Sequence, residues 1–127
     1  MRAEHILVLD GTDSVKGEAF HRLIGGGIEF GETAEEALRR EFVEELGVVL
    51  DTVTLLGVVE NIFKYEGHPC HEIVHVFAVE SEALDAIPLD AKLHVLDEGS
   101  PVSWRAISEV DRPIYPTHAL GLLLDAD

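Results

Sequence analysis

Three consecutive glycines, Gly25-Gly26-Gly27, followed by a helix with both ends marked, constrain this chain more than any other feature. Such a run interrupts regular structure and lets the backbone adopt conformations closed to other residues. Thr33 and Glu36 then stand at capping-box spacing, and Gly47 stands where a helix stop belongs. Between them Leu38, Phe42 and Leu46 fall at i, i+4 and i+8, one apolar stripe. The spacing predicts a helix over residues 33–46, entered from a glycine turn. The rest of the chain must supply a surface for the stripe.

That surface reads as a sheet. Residues 6–9 form an apolar run closed by Asp10-Gly11, a buried strand and a turn. Residues 11–18 read as a polar loop, and residues 19–24 as a short strand into the glycines. Residues 53–63 predict a strand with Gly57 as a bulge. Residues 65–69 predict a hairpin connection, and residues 72–79 the returning strand. Residues 80–99 are irregular and acidic, residues 102–107 short and extended, and residues 117–124 a terminal helix after Pro116. The expected architecture is a single α/β domain over residues 1–127, built on a mixed sheet.

With 127 residues the chain is sized for one domain. Its 25 acidic against 9 basic residues give a net charge of −16, which argues against coating bare nucleic-acid phosphates. Phosphates remain accessible through a divalent cation. The single cysteine, Cys70, allows no intrachain disulfide and fits a reducing, cytoplasmic setting. Neither a signal-peptide pattern nor an apolar run of membrane-spanning length is expected.

The predicted helix carries the chemistry. Glu41, Glu44 and Glu45 lie at i, i+3 and i+4, within one arc of its surface. Like charges so placed repel by a few tenths of a kcal/mol per pair. An acidic arc by itself is more often a solvated face. A hard divalent cation such as Mg²⁺, which takes oxygen ligands, would reverse the repulsion.

The segment from Gly26 to Val48 matches G-x5-E-x7-R-E-U-x-E-E-x-G-U, with U apolar, at Gly26, Glu32, Arg40, Glu41, Phe42, Glu44, Glu45, Gly47 and Val48. This is the Nudix box, and the chain resembles a Nudix hydrolase. The resemblance implies an α/β/α sandwich and Mg²⁺-dependent (or Mn²⁺-dependent) attack of water on a nucleoside diphosphate linked to another group, X, as in housecleaning pyrophosphatases. It implies Glu45 and Glu41 as principal metal ligands, with Glu44 beside them and the Gly25 carbonyl as a further ligand. It gives Glu32 a supporting role through water or a second metal, and Arg40 the role of holding the carboxylates by ion pairing. Glu98-Gly99-Ser100-Pro101-Val102-Ser103-Trp104 resembles the E-G-x-P-x-x-W stretch of MutT-type sanitising hydrolases, which implies Glu98 as a metal ligand or the catalytic base, with Glu41, inside the box, as the alternative base. The competing reading is a Nudix-fold nucleotide-binding or sensor module without turnover. Such modules tend to lose box carboxylates, and this chain keeps them.

Outside the box, Arg22 is a candidate contact for a substrate phosphate. Tyr65 stands near a tyrosine position of dinucleoside-polyphosphate hydrolases. His68, Cys70 and His71 match no zinc spacing. Glu72 and His75 read as strand residues, with a pocket-facing Glu72 as the alternative. Ile24 occupies the place where many members have proline. Relative to the family the N-terminus reads as one strand short, so an unpaired edge is expected there, with a homodimer covering it. A small nucleotide-type diphosphate is the expected partner, without bulk nucleic acid or membrane.

Overall fold

The computed structural model describes residues 5–25, 27–96, 99–109, 112–116 and 121–122. A five-stranded sheet in the order β5-β6-β1-β2-β7 comprises β1 (His5–Asp13), β2 (Glu18–Leu23), β5 (Leu93–His94), β6 (Pro101–Ala106) and β7 (Ile114–Tyr115). It is mixed: β1 runs antiparallel to β2 and β6, and β7 runs parallel to β2. A second sheet is the hairpin β3 (Thr52–Tyr65) and β4 (His68–Glu80). The helices are α1 (Ala34–Leu46) and α2 (Glu82–Asp85). No helix among the described residues is long and apolar enough to cross a membrane.

α1 forms as its ends dictate. The Thr33 side chain accepts from the Glu36 amide, and the Glu36 carboxylate accepts from the Thr33 amide. Gly47 closes the helix in the left-handed region at φ 67°, where a Cβ would be strained. Phe42 then packs with Leu9, Ile24, Val48, Leu50, Leu84, Val95 and Val102, with Leu38 and Leu46 at the margin. This core lies between α1, α2 and one face of the sheet. On the other face Ile6, Val8 and Ile114 form a smaller cluster with Leu23. The expected terminal helix falls almost wholly outside the described residues; of it, Leu122 occupies the space a Gly57 Cβ would need.

Several expectations change. The loop over residues 11–18 shrinks to a turn at residues 14–17, because β1 continues to Asp13. Gly11 is a strand residue opposite Phe20, and the Phe20 ring occupies the space a Gly11 Cβ would need. Asp-Gly here makes room for an aromatic ring rather than a turn. β1 is paired by β6 over His5–Leu9 and by β2 over Val8–Asp13, with both neighbours present only at Val8 and Leu9. His5, Ile6 and Leu7 thus have a strand partner on one side only among the described residues, the kind of edge on which the expected homodimer rests. The outer edges without a strand partner among the described residues include both edges of the β3–β4 hairpin. One face of that hairpin exposes Leu55, Val58, Ile62 and Ile73. The bulge expected at Gly57 is present, as a register shift between Leu55 and Gly57. The irregular stretch over residues 80–99 contains α2, which Ser81 caps through its hydroxyl, and the short strand β5.

The smaller core is extended by charge. Buried His21 contacts Asp10 through Nε2 at 3.1 Å, and Arg105 donates to its Nδ1 at 3.2 Å. An arginine can only donate, so Nδ1 accepts and the ring is neutral. Burial holds the His21 pKa below its ordinary value, with Asp10 opposing the shift. The unfolded chain then binds the proton more readily, so this contribution to stability is lost as pH falls through the unfolded value of about 6.5 toward the folded one. The urea midpoint is expected to drop from pH 7 to pH 5.5, and more shallowly in His21→Gln. Equal slopes in the two proteins would refute the assignment.

Candidate functional site

The glycine loop delivers the chain from β2 to α1, and Arg40 fastens the two together. Its guanidinium donates to the Gly27 carbonyl at 2.9 Å, to Glu32 at 2.7 Å, to Glu41 at 2.9 Å and to Glu44 at 3.2 Å. Glu32 in turn accepts from the Glu29 amide, so the loop folds back on itself. Hydrogen bonding by Arg40, then by the Glu29 amide, lowers the Glu32 pKa below the usual carboxylate value. The same contacts, Glu32 first, hold Arg40 firmly protonated. One cation thus gathers the loop and two members of the acidic arc. The ion-pairing role implied for Arg40 matches this geometry, while its bond to the Gly27 carbonyl had no signal in the sequence.

The third member, Glu45, is 8% exposed, on the side of α1 that meets the core. Glu44 is the solvent-facing member, its side chain 48% exposed. Burying a carboxylate is costly unless something compensates its charge. Glu41, Glu44, Glu45 and the Gly25 carbonyl supply only hard oxygen donors, the kind Mg²⁺ and Mn²⁺ prefer. The donor chemistry fits such a cation. The side chains are arranged around Arg40, however, and no three metal-ligating side chains converge among the described residues. A cation held here would share these carboxylates with Arg40, which the two oxygens of each allow.

Glu98 and Gly26 lie outside the described residues. The residues flanking Glu98 are anchored: the Leu96 amide donates to the Glu45 carbonyl at 2.8 Å, and the Gly99 amide to the Val95 carbonyl at 2.9 Å. Leu96 also packs against Gly47. Leu96 is thus fastened to the C-terminal turn of α1.

Between the five-stranded sheet and the β3–β4 hairpin opens a cleft of ≈ 1200 Å³. Arg22, Tyr65 and Glu72 line it, and so do Gly25, Gly27 and Leu38 at its glycine-loop end. Sequence reasoning picked out Arg22 and Tyr65 separately, and the cleft brings them together. Glu41, Glu44 and Glu45 are not among its lining residues, although Ala37, Leu38 and Phe42 of the same helix are. Phe20, Tyr115 and Trp104 also line the cleft. Phe20 meets Tyr65 and Tyr115 edge-on, with ring centroids 6.3 and 5.4 Å apart. Phe20 and Tyr115 had no motif to mark them, and the only signal was an aromatic residue opposite a glycine. His68, Cys70 and His71 form no site: Cys70 lines the cleft, while His71 faces Glu60 on the other face at 3.5 Å.

The NUDIX domain family model matches residues 1–120. The chain belongs to the Nudix family. Among curated relatives, it is 37% identical over 57 residues to the oxidized purine nucleoside triphosphate hydrolase of Danio rerio, covering 45% of this chain and 35% of that protein. It is 48% identical over 40 residues to the RNA pyrophosphohydrolase of Tolumonas auensis, covering 32% and 23%. The chain spans about a third or less of the length of these relatives. A solved Nudix structure, a MutT NUDIX hydrolase from Burkholderia pseudomallei, superposes with a TM-score of 0.60 at 25% identity, covering 97% of this chain and 89% of that one. The Nudix α/β fold is therefore shared over nearly the whole chain.

Proposed function

We propose that this Nudix chain hydrolyses the phosphoanhydride of a nucleoside diphosphate linked to a second group, with a divalent cation, Mg²⁺ or Mn²⁺. The observation that carries the reading is the complete Nudix box on a doubly capped helix, with Glu45 buried and Glu32, Glu41 and Glu44 gathered by Arg40. The two curated relatives are named for hydrolysis at nucleotide phosphates, which supports the same class.

Glu45, Glu41, Glu44 and the Gly25 carbonyl would hold the cation. When bound, it neutralises phosphate charge and lowers the pKa of a coordinated water. Glu98 accepts the proton of the attacking water. Glu41 is the weaker candidate, because Arg40 engages its carboxylate at 2.9 Å. Glu32 supports the glycine-loop end of the site. Arg22 faces the cleft and takes part of the phosphate charge, while Phe20, Tyr65 and Tyr115 offer ring edges and faces to a base or another flat group. Phosphoryl transfer is governed by this kind of positioning and charge neutralisation. A cytoplasmic setting belongs to the same proposal and rests on the lone Cys70.

The deciding experiment is a phosphate-release screen, with and without Mg²⁺, over nucleoside triphosphates, ADP-ribose, nucleotide sugars and dinucleoside polyphosphates. Metal-dependent release from at least one is expected, and none from any would overturn the reading. Arg40→Gln is expected to lower turnover about 10–100-fold, as for other residues that orient metal ligands, with the metal concentration for half-activity shifted upward. Unchanged metal dependence would show that the guanidinium does not organise the site.

A further inference from the structure

The β3–β4 hairpin forms one wall of the cleft, yet it shares no strand pairing with the five-stranded sheet among the described residues. Its placement therefore depends on side-chain contacts, and the polar ones concentrate at its tip. There Tyr65-Glu66-Gly67-His68 makes the turn, with Glu66 at φ 50° and Gly67 at φ 79°. Two successive positive φ values mark the type I′ turn, whose first central position favours Asn, Asp or Gly. Glutamate is a poor choice for that backbone, and a non-glycine residue in the left-handed region persists only when its surroundings over-determine it.

Glu66 is held from across the cleft at both its backbone and its side chain. Its amide donates to Asp13 Oδ2 at 3.1 Å. Its carboxylate accepts from the Ser14 amide at 2.9 Å and from the Ser14 hydroxyl. Asp13, buried at the end of β1, also accepts the Val15 and Lys16 amides through Oδ1 and so braces the β1–β2 turn. Those amide bonds, that of Lys16 first, lower the Asp13 pKa against the opposing effect of burial. The residue just before Glu66, and the last of β3, is Tyr65, whose ring abuts Phe20 of β2 inside the cleft.

We propose that Asp13, Ser14 and Glu66 form a tip-to-tip clamp that positions the β3–β4 wall and its Tyr65 over the substrate cleft, so that Glu66 is a positioning residue for substrate affinity. The proposal rests on the hydrolase reading for its substrate, but the clamp itself can be measured without turnover. Asparagine suits the turn better than glutamate and lacks the reach of its carboxylate, so Glu66→Asn separates the clamp from the turn. Ser14→Ala removes the hydroxyl partner and Ser14→Thr keeps it.

Hydrogen exchange of the amides over residues 60–73, without ligand, is expected to accelerate about tenfold in Glu66→Asn, as befits loss of a charge-assisted hydrogen bond. Ser14→Ala should move the same way, and Ser14→Thr should match the wild type. With whichever diphosphate of the screen the wild type turns over fastest, KM should rise about tenfold in Glu66→Asn by the same reasoning, with kcat little changed. Unchanged exchange in both Glu66→Asn and Ser14→Ala overturns the clamp. Faster exchange with unchanged KM overturns its role in binding. A wild type that releases phosphate from nothing in the screen sinks the hydrolase reading and the binding role with it, and the exchange data still decide whether the clamp exists.

Discussion

Replacing Glu45 with glutamine is expected to lower metal-dependent turnover by about 10²–10⁴, the loss that follows when several kcal/mol of charge stabilisation by a metal ion disappear. The change keeps the shape of the side chain and removes its charge. Glu45 sits in the last turn of α1 at 8% exposure, so the neutral amide is no burden on folding. The variant should melt no lower than the wild type in the absence of metal and lose the wild type's stabilisation by Mg²⁺, since ligand binding to the native state is what raises its stability. Steady-state phosphate release and thermal melts with and without Mg²⁺ check both parts. A variant with most of the wild-type rate would remove Glu45 from the metal site.

The second large effect is expected at Glu98. Losing a general base costs about 10²–10⁴ in rate, so Glu98→Gln should fall in that range while the metal concentration for half-activity moves little. Glu41→Gln should instead disturb metal dependence, because that carboxylate belongs to the arc shared with Arg40. Leu96, two residues before Glu98 in sequence, is anchored to the Glu45 carbonyl at the end of α1. If Glu41→Gln loses the pH dependence of the rate and Glu98→Gln keeps it, the base lies within the box.

Local signals made the helix readable. Thr33, Glu36 and Gly47 each act within a turn of α1, so their spacing alone set its limits. The bulge at Gly57 and the turn at residues 65–68 were readable for the same reason. Long-range pairings were not. Gly11 looked like a turn because nothing nearby in sequence announces the Phe20 ring above it. β7 is two residues long and exists because Ile114 and Tyr115 find β2, a partner some ninety positions away. In the site, residue identities came from the box, but the arrangement did not: Arg40 reaches back thirteen residues to the Gly27 carbonyl, and Glu66 is held by a turn fifty-two residues earlier.

The outward face of the β3–β4 hairpin bears on how the protein behaves in a tube. Ile62 and Ile73 stand 74% and 62% exposed, with Leu55 and Val58 nearby. Apolar patches of this sort ordinarily draw molecules together. A charge of −16 opposes that approach at a distance, before the patches can meet. Colloidal stability is then a property of ionised carboxylates. It weakens in acid, as they take up protons, and in concentrated salt, where the screening length shrinks to about 3 Å at 1 M.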